Sequence, residues 1–327
     1  MPATITSIAH YAPPDILDND YFSKYLDTTN EWIMSRTGIS ERRILKNGAT
    51  SDLIVPAAKE AMEYRGLGVK DIDCIIVGTV TPDFMFPNTA SLVQHKLGLT
   101  KAWGFDISAA CSGFLFSLVT ACKLVESGAS KRLLLCGADK MSSITDYKDR
   151  TQAILFGDAA GVCIIENTDD PDYGLQDFIL NIDGSGEPFL HQVAGGSFKP
   201  ASHETVDAGE HFLYQDGQPV FKAAVKGMAD VSAEIMERNN LGPDDVSWLV
   251  PHQANLRIIS ATADRMGIGM DKVMVNIEKY GNTTSATIPM CLSEWHKKGE
   301  LKKDQNIILS SFGAGYTWGA VWMKWGI

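Results

Sequence analysis

Of the six cysteines in this 327-residue chain, one stands where a thiol can serve as a nucleophile. Cys111, in FDISAACSGF, occupies the turn between a strand-like run and a helix that is apolar on nearly every face. A thiol at a helix N-terminus meets unpaired N–H groups and the positive end of the helix dipole, which predicts a stabilised thiolate and a lowered pKa. Ser108 is placed to act as N-cap of that helix. Cys74, Cys122, Cys136, Cys163 and Cys291 lie within apolar runs and read as small core hydrophobes, the usual role of a free cysteine. Nucleophilic thiols commonly work beside an imidazole. His252 follows the apolar run WLVP at its C-terminal end, where α/β sheets gather ligands. His10, His95, His191, His203, His211 and His296 have no comparable setting. Asn282, in YGNTTSATIP, is on its own only a Gly-Asn turn signal.

Internal repetition raises Asn282 above that reading. EAMEYRGLGVKDIDCIIVGT, from Glu60, can be laid on EIMERNNLGPDDVSWLVPHQ, from Glu234, at an offset of 174. In each copy a helix-like run ends near Leu-Gly, an acidic turn follows, and a short apolar strand comes next. A second register, with offset 171, sets Cys111 opposite Asn282 and Gly128 opposite Gly299, each pair bounding a helix that leads into a strand, KRLLLCGA or QNIILSSF. A duplicated α/β unit is expected, with mostly parallel sheets covered by helices, and with an N-terminal half of 1–170 and a C-terminal half of 171–327. The two apolar helices should form a layer between the sheets, and Cys111 and Asn282 should project toward the centre from their starts.

Other chemistry is excluded on spacing and context. Papain-like proteases also run Cys, His, Asn, and the separations here are 141 and 171 residues. AACSG replaces their Cys-Gly-x-Cys-Trp surround, however, and the duplicated α/β pattern is foreign to them. SFGAGYTWG resembles a dinucleotide loop but leaves no room for the helix, strand and acidic residue of such a unit, so it reads as a tight loop lining an active site.

Composition, 45% apolar and 21% charged, is that of a folded globular protein. Lys and Arg number 29 against 40 Asp and Glu, a net charge of −11 that disfavours nucleic acid and anionic membranes. The uncharged stretches 107–122 and 305–323 are read as core rather than membrane spans. No Cys-x-x-Cys pair, zinc-like cluster or secretory signal is present, so no metal is expected and a reducing cytoplasm is the expected setting.

The motifs DTTNEWIMSRTGISERR, FDISAACSGF, TDYKDRTQAILFGDAAG, VFKAAV, WLVPHQANLRIISATA, YGNTTSATIP and SFGAGYTWG, in that order, are similar to those of the β-ketoacyl-acyl-carrier-protein synthase III family. These are the initiating condensing enzymes of type II fatty acid synthesis, in the thiolase superfamily. The resemblance implies a thiolase-like, duplicated five-layer α-β-α-β-α fold and a catalytic triad of Cys111, His252 and Asn282. It implies acylation of Cys111 by an acyl-CoA primer, acetyl-CoA first, then decarboxylative condensation with malonyl-acyl carrier protein. CoA thioester is a substrate, and no cofactor is implied. The oxyanion hole falls to the backbone N–H groups of Cys111 and Ala314, where Ala replaces a common glycine. Trp32 and Arg150 match a pair that sandwiches adenine, Thr28 an adenine contact, Arg36 a phosphate contact and Asn255 a pantetheine contact. Thr151 stands where glycine is frequent. Phe221 matches an aromatic that keeps the site apolar, and Phe86 one that reaches a partner's acyl pocket, implying a homodimer. The volume around Phe86 and Met141 would set the primer.

Acyl carrier protein is itself acidic, so a basic patch must overcome the field of this chain. Lys222, Arg257 and Arg265 match docking positions, while Asp264 takes a place where a basic residue can occur. A same-fold ketosynthase or acyltransferase of secondary metabolism is the alternative, and a catalytically dead scaffold is disfavoured by the intact triad.

Overall fold

The computed structural model describes all 327 residues. Its first sheet has five strands: β1 (Ala3–Tyr11), β2 (Cys74–Gly78), β3 (Trp103–Ile107), β4 (Arg132–Lys140) and β5 (Asp158–Asn167), in the spatial order β1-β5-β4-β2-β3. The second has four: β6 (Gly174–Ile182), β7 (Trp248–Pro251), β8 (Asn306–Gly313) and β9 (Thr317–Lys324), in the order β7-β8-β9-β6. A parallel bridge from Val273 to Leu249 stands beside β7 as β3 stands beside β2. The two sheets therefore repeat one topology.

The long helices are α1 (Asn30–Thr37), α2 (Thr50–Arg65), α3 (Thr89–Leu97), α4 (Gly113–Glu126), α5 (Gly217–Arg238), α6 (Leu256–Met266) and α7 (Thr287–Lys297); α1 packs on α6 and the other six cover the sheets. Successive side chains of a strand face opposite ways, and in β2 both faces are buried: Cys74 and Ile76 join the central core, Ile75 and Val77 the outer one. Outside the first sheet lie α2 and α3, through Leu53, Ile54 and Val93. Outside the second lie α5 and α6, through Val231, Ile235 and Ile259. Between the sheets, Phe114 and Leu118 of α4 and Ile288 and Leu292 of α7 pack against Leu135 and Ile165 on one side and Leu309 and Val321 on the other. Burying each such Leu, Ile or Phe contributes about 1.5–3 kcal/mol. Glycines let the middle helices come close: a Cβ on Gly161 would stand 2.6 Å from the Pro289 ring.

Two expectations are corrected. The sheets are mixed, not mostly parallel. β2 runs parallel to β3 and β4, and β7 parallel to β8, but β5 and β9 are antiparallel to both of their neighbours. Only Ala314–Tyr316 separate β8 from β9, too little chain for a crossover helix. The offset of 171 also fails at the start of the middle helices. Ala110 and Thr284, both in left-handed backbone with φ of 47° and 53°, are 174 apart, as are the helix starts at 113 and 287 and the strand starts at 132 and 306. The structural counterpart of Cys111 is therefore Ser285. The helix α7 has 11 residues against 14 in α4, so the 171 register holds only at its far end.

Candidate active site

Cys111 lies in a single 3-10 turn, Ala110–Ser112, that leads into α4. Ser108 does not cap that helix. Ser112 holds the cap position and makes no capping bond, because its hydroxyl donates to the Thr317 carbonyl at 3.0 Å. Two more hydroxyls tie the turn to the second sheet: Ser311 donates to the Cys111 carbonyl at 2.8 Å and Thr317 to the Ala109 carbonyl at 2.9 Å. The backbone N–H of Cys111 makes no hydrogen bond to another residue, and neither does that of Ala314. Gly313 keeps the first of these open, since a Cβ there would stand 2.7 Å from the Cys111 nitrogen.

His252 directly follows β7 and extends its ladder by donating its N–H to the Ser310 carbonyl at 2.8 Å. Its Nδ1 lies 2.8 Å from the Thr287 hydroxyl, and its buried Nε2 has no protein partner. Asn282 is fixed by backbone bonds to Leu155 and Gly157. Its Oδ1 accepts from the Thr284 N–H at 2.9 Å, which assigns the amide and leaves Nδ2 free. Cys111, His252, Asn282 and Ala314 line one mostly apolar cavity of about 360 Å³ with Val80, Met141, Phe156 and Phe221.

Burial sets the electrostatics of this cavity. It takes the His252 imidazole down to about 3, so the ring is neutral at any ordinary pH. It pushes the Cys111 thiol up to about 12, and the charge of Asp139 adds to the rise. The expected low-pKa thiolate is corrected: at this depth desolvation outweighs the helix terminus and the sulfur rests as a thiol.

Trp32, Arg36 and Arg150 do not line the cavity; the Trp32 ring carries both guanidinium groups, Arg36 at 4.7 Å and Arg150 at 4.9 Å from its centroid. Arg150 also donates to the Asp27 carbonyl at 2.6 Å, and the nearby Thr28 hydroxyl is buried without a partner. A base sandwiched by Trp32 and Arg150 must therefore separate them. Asn255 caps α6 through the Arg257 N–H and donates to the Arg36 carbonyl at 2.9 Å, joining α1 to α6. Lys222, Arg257 and Arg265 are all exposed on α5 and α6. Arg257 lies over the Phe221 ring at 5.0 Å, and Arg265 faces Asp230 at 3.5 Å. Phe86 is 86% exposed and does not line the cavity of its own chain.

Several residues had no sequence signal. His191, set aside as a surface histidine, lines the cavity and takes part in the ribbon formed by residues 190–192 and 213–215. Thr287 and Asp139, each beside the site, belong to classes common in any strand end or helix start. The tight loop predicted in SFGAGYTWG does line the cavity, through Phe312, Gly313 and Ala314.

A cysteine at a strand-to-helix turn, held between two copies of one α/β unit, belongs to an acyl-transferring enzyme of the thiolase fold. Family models described as 3-oxoacyl-[acyl-carrier-protein] synthase III and as its C-terminal part match residues 105–184 and 236–325. The chain is 56% identical to the β-ketoacyl-[acyl-carrier-protein] synthase III of Chlorobium chlorochromatii, over 99% of this chain and 100% of that one. Its structure superposes on the 3-oxoacyl-[acyl-carrier-protein] synthase III of Aquifex aeolicus with a TM-score of 0.91 at 39% identity, covering 99% and 100% of the two chains. The priming β-ketosynthase of the R1128 polyketide pathway follows at a TM-score of 0.90 and 32% identity, covering 99% and 96%. The chain belongs to the β-ketoacyl-acyl-carrier-protein synthase III family, the initiating condensing enzymes of fatty acid synthesis.

Proposed function

We propose that Cys111, His252 and Asn282 carry out both half-reactions of a synthase III, with acetyl-CoA or a similar short acyl-CoA as primer and malonyl-acyl carrier protein as extender. The observation that carries this reading is the convergence of four free polar groups on one apolar cavity: the N–H groups of Cys111 and Ala314, Nε2 of His252 and Nδ2 of Asn282.

In the first half-reaction the Cys111 sulfur bonds to the thioester carbon, and the carbonyl oxygen gains charge against the two backbone N–H groups. Because the thiol is protonated at rest, its proton leaves as the carbon–sulfur bond forms and passes, by way of Nε2 of His252 and without a resting imidazolium, to the departing CoA sulfur. In the second, the malonyl group loses CO2, and the enolate oxygen is met by N–H donors from His252 and Asn282. The carbanion then attacks the acyl carbon, the carbon–sulfur bond to Cys111 breaks with its electron pair left on sulfur, and the thiolate takes up one proton from solvent as 3-ketoacyl-acyl carrier protein leaves. Two neutral donors stabilise the enolate without supplying an acid strong enough to quench it. The apolar wall around Phe221 disfavours a carboxylate and favours neutral CO2.

Trp32, Arg36, Arg150, Thr28 and Asn255 form the CoA path in this reading. Lys222, Arg257 and Arg265 form a cationic landing for the acidic carrier. Exposed Phe84, Met85 and Phe86 support a homodimer in which Phe86 enters the partner's cavity. The chain divides into halves at 1–170 and 171–327. Six unbridged cysteines fit a reducing cytoplasm, and no helix is long and apolar enough to cross a membrane.

The test is intact-protein mass spectrometry after incubation with acetyl-CoA. A 42-dalton-class acetyl adduct is expected on the wild type and none on Cys111→Ser, while Asn282→Asp is expected to label but not condense. Labelling of Cys111→Ser would overturn the nucleophile.

A further inference from the structure

The 174-residue register pairs Cys111 with Ser285, Gly313 with Asp139 and Ala314 with Lys140. In the first set the N–H groups of Cys111 and Ala314 are open to the cavity, with glycine at position 313. In the second set the equivalent N–H groups are both occupied. Ser285 donates to Asp139 Oδ2 at 3.1 Å, and Lys140 donates to the Thr81 hydroxyl at 2.8 Å, which in turn donates to Asp139 Oδ1 at 2.9 Å. The fold thus holds two copies of one anion cradle. Substrate can reach one, and the chain's own carboxylate fills the other.

Asp139 is fully buried, and every donor it meets is directional. Its Oδ1 accepts from the N–H of Val80 at 2.8 Å, the N–H of Thr81 at 3.2 Å and the Thr79 hydroxyl at 3.0 Å. Its Oδ2 takes Ser285 alone. Val80 lies in the cavity wall. Ser285 lies between Asn282 and Thr287, the residue that meets His252 Nδ1. One carboxylate therefore ties the cavity wall at Val80 to the turn that carries Asn282.

We propose that Asp139 is a positioning residue for condensation: by filling the second cradle it holds the 282–287 turn so that Asn282 faces the cavity. This rests on the roles given above to Cys111, His252 and Asn282. Asp139 holds the backbone N–H of Ser285, whereas it is the Ser285 hydroxyl that meets the Cys111 turn, donating to the Ala110 carbonyl at 3.1 Å; Asn282 has no part in acylation, so the two half-reactions should separate.

Asp139→Asn tests this, because an amide whose oxygen serves the Oδ1 donors must turn its NH2 against the Ser285 N–H. Removing the Asp139 charge eases ionisation of the Cys111 thiol, so acetylation of Cys111, followed by rapid-quench mass spectrometry, is expected to fall by no more than about threefold or to quicken. Turnover with saturating malonyl-acyl carrier protein is expected to fall about tenfold or more at unchanged KM, the scale of one buried hydrogen bond replaced by an unpaired donor. If Asp139→Asn does not accumulate folded, Asp139→Ser, whose space admits a bridging water, is read in the same assays. Equal losses in both half-reactions, or none in either, would overturn the proposal. Absence of acetylation on wild-type Cys111 would instead sink the reading it rests on.

Discussion

The Thr287 hydroxyl lies 2.8 Å from Nδ1 of His252 and 3.0 Å from the Thr284 carbonyl. One hydroxyl proton thus chooses the tautomer of the ring. Donated to Nδ1, it leaves Nε2 to carry the hydrogen that an enolate needs. Donated to Thr284, it leaves Nε2 bare, as removal of the Cys111 proton needs. Thr287→Val deprives Nδ1 of its partner in a fully buried site, at a cost of about 1–3 kcal/mol. Condensation is expected to drop roughly tenfold to a hundredfold, with recovery in Thr287→Ser, as measured by release of CO2 from malonyl-acyl carrier protein.

Gly313→Ala should block the other end of the reaction. The added Cβ would lie 2.7 Å from the Cys111 nitrogen and 3.1 Å from that of Ser112, inside the space a thioester oxygen would use. Loss of one such donor typically costs about 10²–10³ in rate. Stopped acetylation with a near-normal melting temperature is the expected pair of results, and unimpaired acetylation would remove the Cys111 N–H from the mechanism.

Carrier docking predicts an order among the cations. Arg257 has a ring beneath it and no carboxylate partner, whereas Arg265 already faces Asp230 at 3.5 Å. Arg257→Glu is expected to raise the KM for malonyl-acyl carrier protein about tenfold or more at low salt, and Arg265→Glu by less. Both effects should shrink as ionic strength rises, and decarboxylation in the saturated complex should change little. Equal effects, or none, contradict the assigned landing site.

His252 also marks the acid side of stability. Its folded pKa of about 3 lies below the unfolded 6.5, so between these values only the unfolded chain binds the proton, and stability falls as pH falls. At pH 5 the penalty amounts to about 2 kcal/mol. Asp139, raised from 3.8 to about 6 by burial, works the opposite way between those values. It does so equally in wild type and His252→Gln, so denaturant unfolding of the two between pH 7 and 5 isolates the histidine. A shallower pH slope in His252→Gln is expected, and parallel slopes would count against a buried neutral ring.

The strand-to-helix turn at Cys111, the strand end at His252 and the glycine loop at 312–314 were legible because each is a local pattern: apolar run, punctuation, apolar run. The duplication was legible as well, but its register was not. Three residues lost from α7 are restored in the loop before β8, so an ungapped alignment finds 171 or 174 according to where it starts. Only the left-handed residues Ala110 and Thr284 fix which register holds at the site. The antiparallel course of β5 and β9 depends on chain reversal rather than on side-chain pattern. The thiol's raised pKa is not legible in the sequence, because a helix terminus can be read there and the depth of burial cannot. Asp139 meets partners about 60 to 150 positions away and Thr287 meets His252 through a single hydroxyl, which no spacing announces.

Residues 168–173 are the only link between the last strand of the first sheet and the first strand of the second. The middle layer is shared: Phe114 and Leu118 come from one side of that link, and Ile288 and Leu292 from the other, in a single core. A gene split at the link would encode two polypeptides, each with a bare apolar face and an incomplete set of reactive groups. Neither is expected to stay soluble when made alone. Made together they can cover one another, so each half serves as the other's chaperone, and activity itself reports their reunion.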